Sequence, residues 1–173
     1  LNIDTIKVTD YNAAVEAMRA GRAHIAWYGG KTYVKAADIA NAEAFAAGVR
    51  PGEKDAGYYT YFVVKKDSAI KEFKDVKGKI LSLNTIGSTS GDLIPQVELS
   101  KINLSIKNKD HFNKVFYAGS HDACLLAVLN NQSDICGMSS RNYEARLEDG
   151  TFKEDDVRIC LLYTSPSPRD GVQ

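Results

Sequence analysis

Short apolar runs alternate with helix-like segments along most of this chain, and the alternation restricts the folds that it can adopt. Runs typical of buried strands include Tyr58–Val64, Ile80–Leu83 and Asp134–Met138. Segments with apolar residues at helical spacing follow such runs, as at Cys124–Leu129. This order predicts an α/β fold with parallel sheets and helices on both faces. Ligands bind such sheets at the carboxyl ends of the strands, where the next helices begin.

The same patterns predict the remaining elements. In the first third of the chain they indicate strands at 6–8, 23–28 and 44–48, and helices at 11–20 and 32–40. Asp10 stands where the first of these helices needs an N-cap. Further along, helices are predicted at 70–76, from Gly91 and at 141–147, and strands at 115–117 and 157–159.

Composition excludes several kinds of partner. The 173 residues contain 22 Lys and Arg against 22 Asp and Glu, so the chain carries no bulk charge for nucleic acid or a membrane surface. No apolar run approaches the roughly 18 residues of a membrane span. The cysteines and histidines lack metal-ligand spacing, and we expect neither a metal nor another cofactor.

The stretch Gly87–Gly91, which reads Gly-Ser-Thr-Ser-Gly, lies between a predicted strand and a predicted helix. The first amides of a helix lack internal partners and carry the positive end of its dipole, so such a turn is a natural site for a small anion. A nucleophile elbow would need serine where Thr89 stands, and a nucleotide-binding loop would need lysine where Asp92 stands. An anion site and a plain Ser/Thr helix cap both remain open.

His121 and several tyrosines are further candidates for a site. His121 lies between the predicted cap Ser120 and Asp122, so it fits an oxyanion donor, a base paired with Asp122 or a surface histidine. The tyrosines gather in the first 61 residues. We expect most of them to pack in the core and one or two to line a pocket.

Five short segments occur in a recognisable order: Asp10-Tyr11, Ile25–Gly29, Gly57-Tyr58, Ser88–Gly91 and Ala118–Asp122. Together they resemble the periplasmic substrate-binding proteins of phosphonate and phosphite ABC transporters, over about residues 5–150. The resemblance implies a two-lobed, Venus-flytrap fold of the type II periplasmic-binding-protein class, incomplete at both ends. It also implies a binding protein and not an enzyme.

The resemblance assigns ligand-binding roles to seven residues. The hydroxyls of Ser88, Thr89 and Ser90, with the helix amides, are expected to hold the oxygens of the ligand, and His121 to contact them too. Cleft tyrosines of the family correspond to Tyr11 and Tyr58, and Tyr28 lies close enough to form a wall.

Two residues depart from the family pattern. Members that bind aminoalkyl phosphonates place a glutamate near the helix start where this chain has Arg141. A cation there disfavours 2-aminoethylphosphonate and favours phosphite, phosphate, methylphosphonate or an anionic phosphonate. Asp92 is unfavourable beside a phosphonate unless its side chain points to solvent.

The resemblance also implies domain limits. Residues 1–62 are expected to form a partial first lobe and residues 63–159 a truncated second lobe. The stretch Cys160–Asp170 resembles the translation of a transposase-type sequencing adapter and lacks periodicity, so residues 160–173 are predicted to be a non-native tail. The alternative is a native linker rich in proline and serine.

The function implied by the resemblance is capture of a phosphonate, phosphite or related phosphorus oxyanion between two lobes, for delivery to the permease of an ABC importer. The location implied is periplasmic, or lipid-anchored outside the cytoplasm. Two alternatives stay open. One is a small-anion sensor domain of a signalling protein, and the other is a phosphoryl- or acyl-transfer enzyme that uses His121 with Ser88 or Ser90.

Overall fold

The computed structural model describes residues 2–8, 10–49, 52, 54 and 56–165. A short 3-10 turn covers Phe73–Val76, and a single π-helical turn covers Thr89–Leu93. The longer elements in this part of the chain are, in order, α1 (Tyr11–Arg19), α2 (Gly30–Ala40), β1 (Tyr58–Lys65), β2 (Ile80–Leu83), α3 (Ile94–Lys101), β3 (Lys114–Tyr117), α4 (His121–Leu129), β4 (Ile135–Ser139), α5 (Ser140–Glu148) and β5 (Val157–Ser165).

The strands form one mixed sheet in the order β3-β2-β4-β1-β5. Strand β2 runs parallel to β3 and β4, whereas β1 runs antiparallel to β4 and β5. The predicted α/β class is therefore confirmed, and the prediction of parallel sheets throughout is wrong. The neighbours of β1 in the sheet are distant in sequence, so the alternation of consecutive elements does not fix its direction.

The three strands predicted at 6–8, 23–28 and 44–48 are not formed in the described residues. Their apolar side chains are largely in solvent, with Ile25, Trp27 and Phe45 at 73%, 73% and 79% exposure. A strand depends on hydrogen bonds from a neighbour, which an alternating pattern does not itself supply. The helix predicted at 70–76 is also wrong, since the segment is reduced to the 3-10 turn at Phe73–Val76.

The sheet is buried on both faces. Phe62 and Val64 of β1 belong to a core cluster with Leu99 of α3, whereas Val63 belongs to a second cluster with Leu125 of α4. Successive strand residues point to opposite faces, so each face of the sheet has its own core. None of the helices within the described ranges has the length and apolar character needed to cross a bilayer.

Two domain predictions concern segments that this sheet contains. Strand β1 runs without interruption across the boundary predicted at 62/63, and the division into two lobes stays a prediction. The last strand extends beyond the predicted 157–159, because residues 161–165 also pair with β1, after a register shift between Phe62 and Val63. The predicted non-native tail begins inside this strand, continues outside the described residues, and stays a prediction.

Candidate anion-binding site

A cavity of about 630 Å³ lies between the segment that contains α1 and α2 and the edge of the sheet. The structure brings all seven predicted site residues to its wall: Tyr11, Tyr28, Tyr58, Ser88, Thr89, Ser90 and His121. Their roles in binding a ligand stay a prediction. Residues that the prediction did not include, among them Ser139 and Asn142, also line this cavity.

Several helix N-termini converge on the cavity. In the described part of the chain, the starts of α1, α2, α4, α5 and the π turn all contribute lining residues. Each N-terminus carries unpaired amides and a partial positive charge. The convergence makes the cavity favourable for an anion. The lining residues at these starts are Tyr11, Gly29, Gly30, Ser88, Thr89, Ser90, His121, Ser139, Arg141 and Asn142.

The strand directions explain why these residues meet. Strands β2, β3 and β4 are parallel, so the turns that follow them lie at one edge of the sheet. Strand β1 is antiparallel to β4, and this reversal brings Tyr58, its first residue, to the same edge. A wholly parallel sheet would place Tyr58 at the opposite edge.

The Gly87–Gly91 turn is buried and tightly fixed. Gly87 has φ +102°, in the region that favours glycine, and its carbonyl accepts a hydrogen bond from Thr32 Oγ1 at 3.0 Å. Ser88 is the N-cap, and its Oγ accepts from the Gly91 amide at 3.0 Å and from Asn84 Nδ2 at 3.4 Å. Because this hydroxyl accepts twice, its own proton is available to a ligand.

The segment containing α2 contacts this turn directly. The Lys31 amide donates to Thr89 Oγ1 at 2.9 Å. A Cβ at Gly29 would lie 3.0 Å from Thr89 Oγ1, so glycine permits the close approach. These contacts join residues about 60 positions apart in sequence, and no local pattern predicts them.

Asp92 is buried beside the turn and is compensated there by an ion pair. Its side chain is 1% exposed and does not point to solvent, yet it is neutralised by Lys31 Nζ at 2.6 Å. Gln96 Nε2 and the Tyr117 hydroxyl donate to Oδ1 at 2.6 and 2.8 Å, and the Gly87 amide donates to Oδ2 at 3.2 Å. Burial opposes ionisation, but these donors outweigh it and hold the pKa of Asp92 below its usual range.

His121 is a neutral hydrogen-bond donor in this arrangement. Burial lowers the pKa of His121 to about 4, against a smaller opposing effect of Asp122. Its Nδ1 accepts from the Ser139 amide at 3.4 Å, which leaves the proton on Nε2. Asp122 approaches Arg146, with 3.6 Å between Oδ1 and Nε. The geometry therefore favours the predicted oxyanion donor over a His121–Asp122 base.

Tyr58 and Tyr28 differ in how their hydroxyl groups are engaged. Burial raises the pKa of Tyr58, with the Thr89 and Ser90 hydroxyls acting in the opposite direction, so the phenol keeps its proton beside the turn. The Tyr28 hydroxyl donates to the Ala14 carbonyl at 3.1 Å, which commits its proton away from a ligand. Tyr28 lines the cavity, and its predicted role as a wall for the ligand stays a prediction.

Arg141 is anchored at the cavity wall as the second residue of α5. Its Nη2 donates to the carbonyls of Gly48 at 2.8 Å and Gly57 at 3.2 Å. The guanidinium carbon lies 5.8 Å from the centroid of the Tyr58 ring. A cation therefore faces the cavity near the oxyanion donors.

We expect acidification to destabilise the chain through His121. The pKa of His121 is about 4 in the folded chain and ordinarily 6.5, so between these values the unfolded chain binds more protons. The free energy of unfolding should fall by up to about 3 kcal/mol as the pH drops from 6.5 to 4. Urea unfolding at several pH values should show this slope reduced in His121→Asn. The exposed His24→Asn is the control, and equal slopes in the two variants would contradict the assignment.

Solved structures with this fold are periplasmic binding proteins of the type II class, as predicted. A binding-protein component of an ABC phosphonate transporter from Pseudomonas aeruginosa matches with TM-score 0.80 and 27% identity, over 90% of this chain and 52% of that one. PhnD1 from Prochlorococcus marinus, solved in complex with methylphosphonate, matches with TM-score 0.72 and 26% identity, over 91% of this chain and 58% of that one.

Sequence comparison identifies the family. Residues 2–172 match the model of the ABC transporter, phosphonate, periplasmic substrate-binding protein family. The phosphonates-binding periplasmic protein of Escherichia coli K12 is 32% identical over 172 residues, which are 96% of this chain and 48% of that protein. The chain belongs to this family of substrate-binding proteins, and the predicted resemblance is confirmed. It spans about half the length of the relatives that it matches.

Proposed function

We propose that this chain binds a small phosphorus oxyanion, such as methylphosphonate, phosphite or phosphate, in the cavity between the α1–α2 segment and the sheet. The observation that carries the proposal is the convergence of helix N-termini and neutral donors on one buried turn. Ser88, Thr89 and Ser90 are 1%, 5% and 2% exposed, so the anion would be held in a site with little competing water.

The donors suit a tetrahedral oxyanion because they approach from several elements. The hydroxyls of Ser88 and Ser90, the Tyr58 phenol and His121 Nε2 belong to different parts of the fold. Neutral donors stabilise the charge of the phosphorus group and carry no charge of their own when the ligand departs. The negative side chain nearest the turn, Asp92, is already neutralised by Lys31.

Membership of the family supports a role in transport. We propose that the oxyanion is captured outside the cytoplasm and delivered to the permease of an ABC importer. A ligand that contacts both the α1–α2 segment and the sheet would favour the closed arrangement of the two. The permease would then recognise the closed conformation, whose population the ligand increases.

Thermal unfolding in the presence of candidate ligands tests the proposal. A ligand that binds the folded chain stabilises it by about 2.7 kcal/mol at a concentration of 100 times its Kd. We expect methylphosphonate, phosphite or phosphate to raise the Tm of the chain, and the same ligand to have a smaller effect on Ser90→Ala. A folded chain whose Tm none of the three changes would contradict the proposal.

A further inference from the structure

Among the residues that the structure describes, Arg141 carries a positive charge without a charged partner. Its two hydrogen-bond acceptors, the carbonyls of Gly48 and Gly57, are neutral. Within the described part of the chain, the salt bridges join other residues, and the Nε atom of Arg141 is buried without a hydrogen bond. A half-buried guanidinium in this state gains from an anion more than an exposed one does.

The charge lies beside the oxyanion donors and is separated from them by Tyr58. The hydroxyl end of the phenol meets Thr89 and Ser90, whereas the guanidinium lies over the ring at 5.8 Å from its centroid. A ligand whose phosphorus group contacts the Ser88–Ser90 turn would therefore extend toward Arg141 along the face of the ring. The cavity of about 630 Å³ leaves space for such an extension.

The other charged side chains of the cavity are weaker candidates for binding the organic substituent of a phosphonate. Glu43 and His24 line it as well, but both residues are exposed, and water screens charges at exposed positions. Lys31 is paired with Asp92. Arg141 thus dominates the electrostatics of the wall next to Tyr58.

We propose that the cavity takes a phosphonate whose carbon substituent ends in a carboxylate, and that Arg141 binds that carboxylate. A guanidinium matches a carboxylate in charge and geometry, and it repels an ammonium group. The inference rests on the proposed function, because it places the phosphorus group of the ligand on the Ser88–Ser90 turn. It adds a second anchoring point, which selects among phosphonates by their organic part.

Calorimetric titration of the chain with four compounds tests the inference. The compounds are phosphonoacetate, ethylphosphonate, 2-aminoethylphosphonate and methylphosphonate. We expect phosphonoacetate to bind at least about tenfold more tightly than ethylphosphonate, the effect of one hydrogen bond to a charged group. We expect 2-aminoethylphosphonate to bind more weakly than ethylphosphonate.

Variants of Arg141 show whether this residue is the cause. Arg141→Met should abolish the preference for phosphonoacetate, and its loss of phosphonoacetate affinity should exceed its loss of methylphosphonate affinity by at least about tenfold. Arg141→Lys should keep part of the preference, since it keeps the charge but loses the planar fork. Thermal unfolding shows whether both variants are folded. If Arg141→Met does not fold, the test uses Arg141→Lys instead.

The outcomes separate this inference from the proposed function. Binding of methylphosphonate with no preference for phosphonoacetate overturns the inference alone. An equal loss of methylphosphonate and phosphonoacetate in Arg141→Met also overturns it, because Arg141 would then act on the phosphorus group. Failure of all four compounds to bind the folded chain overturns the inference. The proposed function is overturned as well if phosphite and phosphate also leave the Tm of the chain unchanged.

Discussion

Replacing Asp92 with alanine is expected to lower the free energy of unfolding by about 3–5 kcal/mol, the usual cost of breaking a buried ion pair from one side. Asp92 is 1% exposed and accepts from Lys31, Gln96, Tyr117 and Gly87. Its removal leaves an ammonium group and three neutral donors without this acceptor, and it removes one of the contacts between α2 and the Gly87–Gly91 turn. Burial and the Asp92 carboxylate raise the pKa of Tyr117 to about 12, and the part of this shift that is due to the carboxylate should disappear in the variant.

The measurement is denaturant unfolding of Asp92→Ala beside a matched exposed pair. Glu16 and Arg19 form an ion pair at 2.7 Å with side chains 43% and 57% exposed. Glu16→Ala should change the free energy of unfolding by less than about 1 kcal/mol, as is typical of surface pairs. Similar losses in the two variants would show that the Asp92 network contributes little.

Replacing Gly91 with alanine is expected to displace the turn that carries the anion donors. A Cβ at Gly91 would lie 2.3 Å from Asn84 Cβ and 3.1 Å from Ser88 Oγ. Relief of this overlap must move Ser88 or Asn84, at a cost of about 1–3 kcal/mol in stability. Since the displaced hydroxyls no longer converge on one point, oxyanion affinity should fall at least about tenfold.

Gly57→Ala is the matched control for this substitution. A Cβ at Gly57 meets no atom within 4 Å, and Gly57 also lies close to the cavity through its bond from Arg141. Stability and affinity should both stay close to those of the unchanged chain. If Gly91→Ala bound the oxyanion as tightly as Gly57→Ala did, the Gly87–Gly91 turn would not be the binding site.

Local sequence signals predicted the elements that depend on local chemistry. Asp10, Ser88 and Ser120 are each found as helix caps, with their side chains accepting from amides three residues on. The apolar runs at Ile80–Leu83 and Tyr58–Val64 are strands because both faces of the sheet are covered. The predicted anion turn follows β2 and begins a helical segment, as its residues indicated.

Features that depend on contacts between residues far apart in the chain could not be predicted from local sequence patterns. The direction of β1 is set by β4 and β5, which lie more than 70 residues away. The partner that neutralises Asp92 is Lys31, 61 residues before it, and so its burial was not foreseen. The sequence analysis did not predict that the Ser139 amide donates to His121 Nδ1. The position of Ser139 at a strand-to-helix turn was a signal that could have indicated it.

Amide and histidine NMR during titration with methylphosphonate can locate the bound ligand even when binding is weak. We expect saturable shifts of the Thr89, Ser90 and Gly91 amides together with the His121 ring, and much smaller shifts in Gly91→Ala. Phosphite and phosphate, titrated in the same way, should perturb the same signals. Saturable shifts confined to other parts of a folded chain, or no shifts with any of the three oxyanions, would show that the Gly87–Gly91 turn does not bind the anion.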